Sequence, residues 1–276
     1  MNKIILIISL LLSLSAFSQE KTDCARIRIT YNTTWGEWKN LKTKADVQRL
    51  EIGNRSSKFY SYWQKRTKEI CDSMNRVGNL NTAEMIRKTK PYSGAQDYHV
   101  YKNFPQSGKL TFVSRVDMDV LKYEEDMPEF DWKIVEGDTV IAEYNCQAAV
   151  TEWRGRKWKA WFTTDIPISD GPWKLCGLPG LILKTTESEN FFTFDCAGIE
   201  KIEETPIVLK ERKYVDCTAK EYYKMERECR LNPFGYSDKR LGRETSVPES
   251  LQKTITDQNK PENRAKLLEI EYIDVK

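Results

Sequence analysis

The sequence predicts an α+β fold: a curved antiparallel meander sheet, open like a half-barrel, with a few helices packed on one face. Three observations predict it. Short runs rich in Val, Ile, Thr, Tyr, Phe and Trp, alternating polar and apolar, recur from Ala25 to about Ile199, with the two-residue period of half-buried strands. The links between most of them are short and carry Gly, Pro, Asn or Asp, whereas a parallel crossover needs a dozen or more residues. Helix-friendly composition is confined to residues 64–89 and to the part of the chain beyond Leu209.

Taken in order, the chain opens MNKIILIISLLLSLSAFSQE, with Lys3 before an apolar stretch and small residues at Ala16 and Ser18. This is the pattern of a secretory signal over residues 1–18, and the apolar run is shorter than the ~20 residues of a bilayer-spanning helix. Cleavage after Ser18 would start the mature protein at Gln19. No second long apolar segment follows, so no membrane span is expected in the mature chain. Residues 19–276 read as a single domain, with 19–209 the sheet core and 210–276 a less regular, partly helical part. A boundary near 210 is the one alternative.

ARIRITYN at 25–32 is the first strand, followed by VQRLEIG and SKFYSYW with a turn at Gly53, Asn54 and Arg55. Residues 64–89 then read as two short helices, the second capped by Asn81 or Thr82. YHVYKNF and KLTFVSR flank a turn at Pro105–Gly108, and LKYEE, DWKIVE and TVIAEY follow, the last two separated at Gly137 and Asp138. NCQAAVTEW and KWKAWFTT enclose Arg154, Gly155 and Arg156, and LILKTT and FFTFDCAGI form a hairpin around residues 187–190. Residues 98–209 are therefore expected to be one meander. Beyond them come a helix between Cys217 and Cys229, a weaker one around Pro248–Lys260 and a last strand, LEIEYIDV.

All seven cysteines follow the signal. In an oxidising compartment the default expectation is disulfides, with one thiol left over because the count is odd. If residues 218–228 are helical, Cys217 and Cys229 stand ~18 Å apart along the axis and cannot pair with each other. The remaining connectivity stays open.

Residues 168–183, ISDGPWKLCGLPGLIL, combine two prolines and three glycines with some of the most apolar residues of the chain. Proline removes backbone donors and glycine permits positive φ, which suits a sharp corner leading into a strand. The apolar side chains can then fold under the turn and plug one end of the sheet. The hexapeptide Gly177, Leu178, Pro179, Gly180, Leu181, Ile182 resembles the name-giving motif of the GLPGLI family of exported Bacteroidetes proteins. The resemblance extends to LEIGNRSSKFYS at 50–61 and through residues 131–183, and it departs at Glu143 and Ala148, where glycine and lysine would be expected. It implies an envelope protein, periplasmic or outer-membrane associated, often encoded near TonB-dependent transport machinery, with no established activity. A weaker likeness, to the open half-barrels of periplasmic lipoprotein carriers, is at the level of fold alone and carries no function.

Chemistry is sparse. A formal charge of +3, less Lys3 once the signal is removed, excludes the concentrated basic face that nucleic acid requires. His99 is the only histidine. It could serve a hydrolase only by recruiting Ser169 and Asp165 or Asp170, and no serine sits in a nucleophile elbow. Cysteine pairs with zinc spacing are missing, and the acids at 117–131 lack the glycine-centred calcium loop, so neither metal nor cofactor is expected. Trp153, Trp158, Trp161 and Trp173 are the candidate ligand contacts. Alternation places Trp158 and Trp161 on opposite faces. Either these rings pack a core, or a concave aromatic face holds an apolar small molecule or lipid. The expectation is a non-enzymatic periplasmic binding protein; the alternative is an interaction component of outer-membrane transport.

Overall fold

A computed structural model describes residues 23–36, 43–78, 81–188, 190–242, 249, 252–253 and 256. The signal sequence and the last strand fall outside the described residues. Of the expected helix at Pro248–Lys260, the four described residues, Glu249, Gln252, Lys253 and Thr256, are helical.

Twelve strands form one sheet. The first six, β1 (Cys24–Gly36), β2 (Thr43–Ile52), β3 (Ser57–Ser61), β4 (Tyr98–Lys102), β5 (Lys109–Val116) and β6 (Asp119–Asp126), pair in sequence order. So do β7 (Lys133–Ile141), β8 (Tyr144–Trp153), β9 (Arg156–Thr163), β10 (Leu181–Glu187) and β11 (Phe192–Pro206). The long strands β1 and β11 join the two runs, with Tyr31 opposite Cys196 and Trp35 opposite Phe192. Residues 98–209 are thus not one meander. β6 and β7 follow each other in sequence yet lie ten strand intervals apart in the sheet. The short β12 (Val215–Asp216) is a parallel addition beside β6.

That separation dictates curvature. Ten intervals of a flat sheet span ~48 Å, whereas the link from Asp126 to Lys133 reaches at most ~25 Å when fully extended. The sheet must therefore curl until its two ends approach, an open bowl. Side chains bridge the gap: Glu125 of β6 accepts a hydrogen bond from Arg154 in the β8–β9 turn at 2.9 Å.

Two local expectations are corrected. Gly137 and Asp138 do not separate two strands. They form an irregularity inside β7, where Val135 pairs with Ala148 and Thr139 with Cys146. The turn lies further on, at Ala142 and Glu143, both with positive φ, the geometry of a two-residue hairpin loop. The tight turn is thus made although glycine is replaced by Glu143. The second correction is a helix. Beyond α1 (Tyr62–Arg76), α2 (Thr82–Thr89, capped by Asn81) and α3 (Ala219–Leu231), residues Pro233–Leu241 form α4. Its signals were a capping Asn232, Pro233 in the first turn and Gly242 in the left-handed region after the last, the usual start and stop of a helix.

The core fills the concave side. Ile29, Leu50, Phe59, Val100, Phe112, Tyr123, Trp158 and Phe162 from the sheet meet Trp173, Leu175 and Leu178 from residues 164–180 and Tyr222 from α3. A smaller cluster of Ala25, Tyr101, Val113, Val120 and Ile207 lies on the convex side. All seven cysteines are free thiols, against the disulfide expectation. They are dispersed over β1, α1, β8, β11, the corner, the residues just before α3 and α3 itself, and burial raises the thiol pKa of Cys146, Cys176, Cys196, Cys217 and Cys229. None of the described helices is long and apolar enough to cross a membrane.

Candidate functional site

The Pro- and Gly-rich corner is a plug held by two buried lysines. Lys102, at the end of β4, donates to Asp170 Oδ1 at 2.5 Å, to the Gly171 carbonyl at 2.6 Å and to the Leu175 carbonyl at 3.0 Å. An ammonium has three donors, so its hydrogen-bonding capacity is satisfied. Lys174, with its side chain 0% exposed, donates to Glu125 Oε1 at 2.5 Å and Tyr123 OH at 3.0 Å. The rings of Phe112, Tyr123 and Trp173 stand 5.2–5.6 Å from its nitrogen, within cation–π range. Burial works to raise the Glu125 carboxyl, but Lys174 and Arg154 overcome it and hold the group below its ordinary value. Within the hexapeptide, Leu178, Leu181 and Ile182 are buried. Gly180 lies against the Thr163 carbonyl so closely that a Cβ would come within 2.0 Å of the oxygen. The motif is architectural: it seats the plug and starts β10.

The four candidate tryptophans do not make one binding face. Trp158 and Trp173 are buried in the core, and Trp153 packs on Phe130 and Trp173, with ring centroids 5.1 and 5.6 Å apart. Trp161 faces the other way, donating its indole N–H to the Gly137 carbonyl at 3.1 Å and lying under Lys159. Of the four, Trp173 alone lines the cleft described next. The hydrolase constellation is not assembled either. His99 stacks between Tyr60 and Tyr101, whereas Asp170 is bound to Lys102, three residues along β4 and so on the opposite face. Ser169 Oγ accepts the Gly177 N–H. Burial and nearby cations drive the His99 pKa down to about 3. Among the described residues no cluster of three His, Cys, Asp or Glu side chains is placed to hold a metal ion.

A cleft of about 310 Å³ opens on the concave face between β1, β2, β4, β5, β11, α3 and the loop 93–97. Trp173, Phe112, Phe192, Phe194, Tyr98 and Tyr222 supply apolar walls, and Lys44, Arg115 and Arg230 stand among the polar lining residues. The loop lies against β2 at Gly94, where a Cβ would come within 2.3 Å of the Ala45 carbonyl. Asp46 ties it down, accepting from the Gln96 N–H at 3.1 Å and from Ser61 Oγ at 2.9 Å. Burial raises the Asp46 carboxyl to about 6, and these hydrogen bonds oppose the rise.

The polar focus of the cleft is Gln48. It is 1% exposed, its Nε2 donates to Tyr98 OH at 3.1 Å, and its Oε1 has no hydrogen-bond partner. Glu226 shows the same asymmetry: Oε1 accepts from Arg230 at 2.9 and 2.5 Å, while Oε2 is buried without a partner. A buried acceptor left unmatched costs ~1–3 kcal/mol, so both mark places where a bound molecule would supply donors. Sequence reading missed Gln48, Asp46, Gln96 and Glu226. The signal for the first two was present: along β2, Asp46 and Gln48 share the inward face with Leu50 and Ile52, polar residues at core positions.

A family model described as "Protein of unknown function (Porph_ging)" matches residues 154–184, which include Gly177–Ile182. No curated protein matches the chain. Among solved structures, the chain is similar to PNGF-II in its P21 crystal form, with a TM-score of 0.49 and 14% identity, covering 73% of this chain and 33% of that one. The C2 form gives 0.49, 15%, 73% and 32%. The chain thus spans about a third of the PNGF-II chain.

Proposed function

We propose that this is a non-enzymatic cell-envelope protein of the GLPGLI type that binds a small amphipathic molecule in its concave cleft. The observation that carries this reading is the buried Gln48 amide with an unmatched oxygen inside an aromatic-walled cleft. At about 310 Å³ the cleft sits at the low end of ligand sites, ~300–1,000 Å³, and it is polar at its floor and rim. A compact molecule with one apolar face and N–H or O–H donors fits better than the wholly apolar molecule or lipid expected from the sequence. The signal-like residues 1–18 support placement outside the cytoplasm. Native mass spectrometry of the protein purified from its envelope, with solvent extraction, is expected to find such a molecule. Gln48→Leu is expected to weaken its binding at least tenfold. A protein that carries and retains nothing, or a variant that binds equally well, would overturn the reading.

The edge strand β7 favours a second reading, docking to outer-membrane transport machinery. Among the described residues its outer side has no strand neighbour, and Ile134 and Val140 are 60% and 65% exposed. Photocrosslinkers placed at those two positions would trap the partner.

A further inference from the structure

One group of cations on the convex face forms no ion pair among the described residues. Tyr60, His99 and Tyr101 stack there in a ladder, with ring centroids 6.0 and 6.4 Å apart and planes 12° and 14° from parallel. Lys58 Nζ lies 5.0 Å from the Tyr60 ring and 5.6 Å from the Tyr101 ring. α1 brings Lys68, and the segment after Ile207 brings Lys210 and Arg212. All four cations act on the ladder's histidine, and Lys68 and Arg212 act on Lys210. The segment is anchored: Ile207 is buried, Tyr101 OH donates to the Val208 carbonyl at 3.2 Å and Tyr214 OH to the Lys210 carbonyl at 2.6 Å.

Nearby acids do not balance this charge. Glu51 Oε1 is taken by Arg28, at 2.9 and 2.8 Å, and by Tyr60 OH at 2.9 Å. Asp72 acts on Lys210 but does not outweigh burial and the neighbouring cations. Among the described residues, none of Lys58, Lys68, Lys210 and Arg212 forms an ion pair. Like charges gathered beside one ladder repel each other, and the anchored backbone of residues 207–210 limits how far Lys210 can move away.

We propose that Lys58, Lys68, Lys210 and Arg212, over the Tyr60, His99 and Tyr101 ladder, form a binding site for an oxyanion of the phosphate class. The guanidinium supplies a planar fork and the lysines supply point charges, the usual partners of phosphate oxygens. Burial lowers the Lys58 amine pKa to about 8; Glu51 works to raise it, and the neighbouring Lys210 and Lys65 oppose Glu51. The anion is either free or the headgroup of a lipid.

His99, the only histidine, is a built-in reporter. Its imidazole NMR signals are followed while inorganic phosphate is added at constant ionic strength, with chloride as the control. The expected result is a saturable shift with phosphate alone, and an affinity at least tenfold lower in Lys58→Met and Lys210→Met. Lys224→Met, exposed on α3, is expected to behave like the wild type. Flotation with phosphatidylglycerol and phosphatidylcholine vesicles separates the sources. Capture by the first only, lost in Lys210→Met, assigns a headgroup; a phosphate response without capture assigns a free anion. Signals that move no more with phosphate than with chloride, together with no capture, overturn the site, and the wild-type titration decides this even if a variant does not fold.

Discussion

Two groups of lysines, one on the concave and one on the convex face of the sheet, are treated in opposite ways. On the concave side, Lys102 and Lys174 are buried, and each meets a carboxylate together with further oxygen acceptors. On the convex side, Lys58 is half-buried beside aromatic rings, and among the described residues no acid forms an ion pair with it or with Lys68 and Lys210. Desolvating an ammonium costs several kcal/mol unless good geometry returns it. The first pair therefore belongs to the architecture, locking the plug to β4 and β6, while the convex group forms no ion pair among the described residues. The contrast separates charge that builds the fold from charge that awaits a ligand.

The largest expected effect tests the concave half. Lys102→Met leaves Asp170 and two buried carbonyls without their shared donor, and urea unfolding is expected to show a loss of ~3–5 kcal/mol. A loss under ~1 kcal/mol would break the comparison. Next come the titrations, which also differ between faces. Asp46, on the concave side, has its pKa raised to about 6 from an ordinary 3.8. Its contribution is full below 3.8 and is lost as pH rises through about 6. His99, on the convex side, is lowered from 6.5 to about 3, so its contribution is full above 6.5 and is lost as pH falls toward 3. Between pH 7.5 and 5 the two oppose each other in the wild type. Asp46→Asn is expected to lose stability more steeply on acidification, and His99→Phe less steeply, each by on the order of 2 kcal/mol. Parallel pH profiles for all three proteins would remove the distinction. Smallest is the change expected for Lys58→Met, within ~0.5 kcal/mol of wild type or stabilising, because no ion pair is lost. A loss as large as that of Lys102→Met would show that the convex lysine is structural after all.

Much of the architecture was legible. Alternation located most strands from β1 to β11, and the turn residues at Gly53–Arg55 and Arg154–Gly155 located hairpins, because both signals are local. Of the two cap candidates for α2, Asn81 and Thr82, Asn81 is the cap. Gly137 misled because a glycine inside a strand can mark a bulge as readily as a turn. The cleft was hidden: Gln48 reads as an ordinary polar strand residue until Tyr98, fifty positions away, is placed beside it. The tryptophans misled for the same reason, since alternation separates Trp158 from Trp161 but cannot say which side is the core.

By itself the sequence determined the period of each strand, the site of most reversals and the corner at Gly177–Ile182, since each rests on φ/ψ preferences of neighbouring residues. Tertiary structure alone decided that β1 pairs with β11, that β6 and β7 end at opposite rims of a bowl, and that the cysteines stay apart. Those outcomes rest on contacts between residues far apart in the chain, whose free energy depends on surfaces that exist only once the whole sheet has curled.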